Sequence, residues 1–166
     1  MREIKILRSM SIIGLGSLPF LFKKQPVKDW VLVFFIKGFY SGFIDSFVVS
    51  KKKVTYPVRA FPKVFDIHII FDLLLFPIAC VLYNQMTYRS SIKKIISKVF
   101  IFSIPISMVE YWAEKNTRLI KYHKGWNIFY SSLTLTISFL LVRATMGLIR
   151  KYDKTTIERY KAKGVI

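Results

Sequence analysis

Four apolar stretches, residues 30 to 50, 65 to 86, 93 to 113 and 126 to 149, each approach the ~20 residues that a helix needs to cross a bilayer. Nothing else in the chain limits its architecture as strongly. Backbone groups in lipid must be satisfied inside the segment, which leaves helices or a closed barrel, and runs of this length suit helices. The expected fold is all-α: an integral membrane bundle of four transmembrane helices, preceded by a short amino-terminal interfacial helix and followed by a polar C-terminal helix. As a single domain it divides into a basic interfacial segment (1–28), the four-span bundle (29–150) and a polar tail (151–166).

Charge placement separates this reading from its main competitor. The chain holds 27 Lys and Arg against 9 Asp and Glu, a net charge of +18 that a nucleic-acid binder would also show. Such a binder gathers its cations on one face of amphipathic elements. Here they fall between the apolar runs: Lys51, Lys52, Lys53, Arg59 and Lys63; Arg89, Lys93, Lys94 and Lys98; Lys115, Arg118, Lys121 and Lys124. Basic loops of this kind suit a lipid bilayer with anionic headgroups, and no nucleic-acid partner is expected. Trp30, Trp112 and Trp126 stand at run ends, where amphipathic rings favour the interface.

The third run is the least secure, because Lys93, Lys94 and Lys98 leave it uncharged only from Val99 to Val109. The amino-terminal run from Ser9 to Phe22 follows a basic start but has no small-residue cleavage pattern, so a helix lying on or dipping into the membrane is expected. With four spans, the amino terminus, the 87 to 98 loop and the tail share one side and hold 16 cations against 9 on the other. The positive-inside rule then places a multi-pass protein in the cell membrane with both termini cytoplasmic.

Ionisable residues inside such runs cost at least ~2.5 kcal/mol each on insertion scales, so they are expected to face one another or water. Helical spacing groups them into a polar seam. The first run carries Gly38, Gly42, Asp45 and Ser46, with the glycines forming a small-xxx-small pair that lets a neighbouring backbone come close. The second carries His68, Asp72, Ala79 and Tyr83 on one face, with Pro77 freeing the carbonyl of Leu73 beside Asp72. The third gives Ser103, Ser107, Glu110 and Glu114, and the fourth Ser131, Thr134, Ser138 and Thr145. Antiparallel neighbours put Asp45, His68, Asp72 and Glu110 in one half of the membrane. Lys37 and Arg143 are expected to snorkel toward the opposite half.

No phosphate-cradling glycine loop, nucleophile elbow, H-E-x-x-H or paired-cysteine motif occurs, so neither catalytic residues, a cofactor nor a metal site is expected. Asp66 and His68 point to different sides of a helix, which argues against joint metal ligation. The lone Cys80 is expected to pack as a small hydrophobe.

The string YPVRAFPKVFDIHIIFDLLLFPIACVLYNQMTY, followed by VEYWAEKNTRLIKYHKGWNIFY, resembles a family of small multi-pass membrane proteins from spore-forming Gram-positive bacteria. The resemblance covers about residues 28 to 150 and rests on P-x-R-x-F-P, F-D-L-L-L-F-P, E-Y-W-x-E-K and K-G-W. It implies a membrane location and a helical fold, and carries over no catalytic residue. Two functions are expected from these features: a scaffold or subunit of a membrane assembly, or a proton- or cation-conducting bundle using the buried carboxylates. Either admits a homo-oligomer or another membrane protein as partner.

Overall fold

The computed structural model describes residues 2–162, with side chains described as far as residue 157. Its architecture is all-α apart from one two-stranded ladder. The elements are α1 (Arg2–Leu21), α2 (Val27–Ser50), β1 (Val54–Thr55), α3 (Ile70–Met86), α4 (Ile92–Asn116), β2 (Lys121–Tyr122) and α5 (Ile128–Ala162). Three helices are long and apolar enough to cross a membrane: α1, α2 and the Ile128–Ile157 part of α5.

The four runs therefore fold unequally. The first and fourth become α2 and α5. In the second, residues 65–68 are not helical, and Ile70–Leu75 is wound as a π-helix before regular α-geometry begins at Phe76. That leaves an apolar helix of 17 residues, short for a bilayer. Pro77 is the second residue of the regular part, where the winding changes from π to α. The third run forms the 25-residue α4, but the lysines of its first turns and Glu110, Glu114 and Lys115 near its end interrupt its apolar character.

The amino-terminal run differs from the expected short interfacial helix. It is a 20-residue helix packed lengthwise against α3. Gly14 makes this possible, because a methyl there would lie 2.7 Å from Leu74 Cδ2. Gly38 and Gly42 also face α3, yet a methyl at either would stand 3.7–3.8 Å from Ile67, Leu73 or Pro77, an ordinary contact. The close approach is thus at Gly14, outside the small-xxx-small pair. Near the carboxyl end of α1, Gln85 donates to the Leu21 carbonyl at 2.9 Å, while Ile6 near its start lies beside Tyr56, His68 and Leu119.

This arrangement separates the two ends of the described chain. Arg2 lies at the end of the helix stack that holds the ladder, whereas Asp153 of α5 reaches Lys28 at the opposite end. The two ends of the described chain are therefore at opposite ends of the stack.

The ladder pairs Val54 with Tyr122 and Thr55 with Lys121, antiparallel. It ties the 51–69 segment to the 117–127 segment, so both basic loops share one end. His123 N donates to Lys53 O at 2.8 Å, and Val58 N to Arg118 O at 3.0 Å. Gly125, at φ 75, makes the turn into α5, whose first amides are capped by the Asn127 side chain at 2.9 and 3.3 Å. The polar tail is the unbroken continuation of α5 as far as Ala162; residues 163–166 lie outside the described residues.

Two apolar clusters fill the interior. The larger, around Trp30, Val33, Cys80, Tyr83, Phe139 and Met146, occupies the end away from the ladder. The smaller, Val48, Val54, Ala113 and Ile120, lies beneath the ladder. Trp30, expected at an interface, is wholly buried: its indole donates to Lys24 O at 2.9 Å and Arg150 lies over its ring. Cys80 is wholly buried in the larger cluster.

Candidate functional site: a polar cavity between two apolar clusters

A cavity of about 70 Å³ separates the two clusters, lined by Lys37, Ser41 and Asp45 of α2, Asp72 of α3, Glu110 of α4 and Ser131, Thr134 and Ser138 of α5. Tyr56, next to β1, and Trp126, after β2, complete the wall. Its volume accommodates several water molecules, which need roughly 10–15 Å³ each by this measure.

The α2 contribution follows from helical periodicity. Lys37, Ser41 and Asp45 stand at intervals of four and so share a face, together with Trp30 and Val33 below them and Val48 above. Asp72 enters from the π-helical turn, where the wider winding alters which residues face inward; such turns recur at functional sites. Its amide donates to His68 O at 3.0 Å.

The cation is Lys37. It is 1% exposed, and its ammonium donates to Ser41 Oγ at 2.7 Å and Ser138 Oγ at 2.8 Å. The rings of Phe76 and Phe139 lie 5.5 and 5.2 Å from it, a cation–π setting that offsets part of its desolvation. Its hydrogen bonds thus go to neutral hydroxyls. The expectation that Lys37 snorkels away from the carboxylates is corrected: it lines the cavity with them. Arg143 does reach outward, donating to Thr87 Oγ1 at 3.2 Å and Thr87 O at 3.0 Å at the carboxyl end of α3.

The anions gather at the ladder side. Tyr56 OH donates to Asp45 Oδ1 at 2.7 Å, and the Ser131 hydroxyl donates to Glu110. Asp45 and Asp72 adjoin each other. Asp45 Oδ2 and Asp72 Oδ2 are buried and receive no N–H or hydroxyl from the described residues. In the loops above, burial and then the Asp45 charge hold the Tyr56 phenol well above its ordinary range, and burial pushes Tyr122 up to about 12. Tyr56 is therefore a fixed donor to Asp45 at any physiological pH.

Chemically, three carboxyl groups and one ammonium share a low-dielectric space without direct ion pairing. Among the described residues no three His, Cys, Asp or Glu side chains group closely enough to hold a metal ion. The arrangement suits proton exchange or small polar guests better than tight cation coordination, which needs convergent oxygens.

Other expected seam residues lie elsewhere. Tyr83 belongs to the larger apolar cluster, its hydroxyl donating to Ile95 O at 3.0 Å and its ring packing on Phe102 and Phe139. Glu114 pairs with Lys115 at 3.2 Å near the end of α4. Ser103 and Ser107 are buried but do not line the cavity. His68 is also outside it: the imidazole is 1% exposed, edge-on to Phe71 and Tyr56, with neither nitrogen hydrogen-bonded. Ser46 is exposed, and Thr145 meets Tyr40 at 3.3 Å on another surface. Asp66 pairs with Arg59 at 2.9 Å in the loop.

No family model matches the chain, and no curated protein or solved structure matches it either.

Proposed function

We propose that the chain is a multi-pass integral protein of the cell membrane and acts as a scaffold or subunit of a larger membrane assembly, with the polar cavity as an internal site. One observation carries the choice over conduction: the cavity is bounded by an apolar cluster on each side, so a single copy offers no continuous polar path between its ends. Membrane residence is supported by three long apolar helices and by outward-facing Phe35, Phe39, Phe43 and Phe47 on α2, each 60–69% exposed. Such a row suits lipid or a partner helix and is costly in water. Basic loops at both ends suit anionic headgroups.

The test is reconstitution of the purified protein into liposomes carrying an internal pH indicator, alongside its size in mild detergent. Negligible proton and potassium flux is expected, and extraction as part of a complex larger than its own oligomer. The conducting reading is favoured by the unpartnered Asp72 oxygen, and requires several copies to complete a path. Flux abolished by Asp72→Asn would replace the subunit reading with it.

The sidedness follows from the helix arrangement. Cysteines placed at Lys5, Lys52 and Lys121 are expected to react from one side of the membrane, and at Lys154 from the other. Reaction of positions 5 and 154 from the same side would sink the arrangement of α1.

A further inference from the structure

Helix α1 packs on α3 and stands off from α4, leaving a crevice between α1 and α4. Its outer part, about 240 Å³, is walled by Met10, Leu75, Ala79, Pro105, Ile106 and Val109. An inner pocket of about 40 Å³ reaches His68, Tyr56 and Leu119. Met10, Phe71, Phe76, Val109 and Glu110 line both, so the two adjoin. Beside the mouth, Ile13 of α1 and Ile104 and Met108 of α4 face outward at 52–70% exposure. In the membrane reading, on which this inference rests, that surroundings is acyl chain.

The inner end holds a buried polar group with nothing to bond. Both ring nitrogens of His68 lack a hydrogen-bond partner among the described residues, although the side chain is 1% exposed. An imidazole has one donor and one acceptor in its neutral form, and leaving both unmatched in an apolar site is costly. The ring is held between Tyr56 and Phe71, at 5.5 and 4.5 Å, so it is not free to turn out of the crevice.

We propose that this crevice is a lateral binding site for a neutral single-chain lipid, whose chain lies between α1 and α4 and whose hydroxyl or carbonyl head bonds to His68. The apolar outer wall matches a chain entering sideways from the bilayer. The head is uncharged because the inner end offers no free cation to an anion, and a single carboxyl group, Glu110, already bonded by Ser131, to a cation. Glu110 also forms part of the wall between crevice and polar cavity, so an occupied crevice would bear on the cavity through it.

The experiment uses the full chain in lipid nanodiscs with two photoreactive probes: hexadecanol bearing a mid-chain diazirine, and a hexadecane analogue without the hydroxyl. Hexadecanol is expected to label Met10, Ile106 and Val109 about five- to tenfold more than the headless probe, the range of one buried hydrogen bond. His68→Phe, which keeps an aromatic ring between Tyr56 and Phe71, should erase that difference, and Met10→Trp, which plugs the crevice, should abolish both labels. Equal labelling by the two probes, labelling confined to Ile13, Ile104 and Met108, or a preference for hexadecanol that survives His68→Phe each overturns the proposal. So does a chain-to-chain crosslink from a photoreactive residue at position 10, which would put a second copy in the crevice. Retention in membranes after an alkaline wash is measured in parallel. Its loss would overturn the membrane reading itself, whereas failed labelling with retention intact overturns only the lipid site.

Discussion

The molecule encloses two long cationic side chains, one at the end away from the ladder and one between its two apolar clusters, and treats them in opposite ways. Arg150, away from the ladder, contacts Asp29 at 2.6 Å and lies over Tyr88 and Trp30 at 4.5 and 5.8 Å. Lys37, beside the ladder-end cavity, bonds two serines and leaves three carboxyl groups within the same space unpaired with it. A guanidinium locked to a carboxylate is a fixed joint between α2 and α5. An ammonium held off its anions by hydroxyls is a charge that can rearrange. The first cation is thus tied to one carboxylate, and the second is tied to none.

Arg150→Met gives the largest expected effect, because it strands the Asp29 carboxylate, which is 5% exposed. Removing one partner of a buried pair costs about 3–5 kcal/mol, and the lower figure applies since Arg150 keeps 18% of its side chain exposed. Thermal melting in detergent should register it as the least stable of the variants, and melting within a degree of the parent would dissolve the contrast. Tyr56→Phe comes next, removing the donor to Asp45 at a cost of about 1–2 kcal/mol. The raised phenol also sets a pH signature. A folded-state pKa above the unfolded value near 10 gives stability that is present below pH 10 and lost as pH climbs beyond it. Alkaline melting should show the parent losing stability above pH 10 more steeply than Tyr56→Phe; parallel curves would remove Tyr56 as a held donor. Lys37→Met should be the mildest, within about 1 kcal/mol of the parent or more stable, since its removal strands only serine hydroxyls and spares desolvation of a charge. A loss comparable to Arg150→Met would show Lys37 to be a second joint.

Much of the site was legible in the sequence and its register was not. Antiparallel connection alone groups Asp45, His68, Asp72 and Glu110 in one half of the bundle, and all but His68 line the cavity. Lys37 was missed although Lys37, Ser41 and Asp45 share a helical face; a lysine within an apolar run is read as snorkelling unless its neighbours are read with it. His68 was misplaced because a single helical projection ran through residues 65–68, which are not helical, and through a π-turn that shifts the phase. Tyr83 and Glu114 followed their stripes too far. Tyr83 is 11 residues from Asp72, about 16 Å along a helix, well beyond a cavity of about 70 Å³. The ladder carried no sequence signal: Val54–Thr55 and Lys121–Tyr122 are two residues each, and pairing between distant loops leaves no periodic trace.

That ladder also orders the assembly of the protein in time. β2 leaves the ribosome 67 residues after β1, roughly 3–13 s later at ordinary rates of synthesis. Throughout that interval the strand that pairs beside Tyr56 does not yet exist, and Glu110 and Ser131 are made on either side of it. The cavity is thus a late product of translation, complete only once α5 has been made.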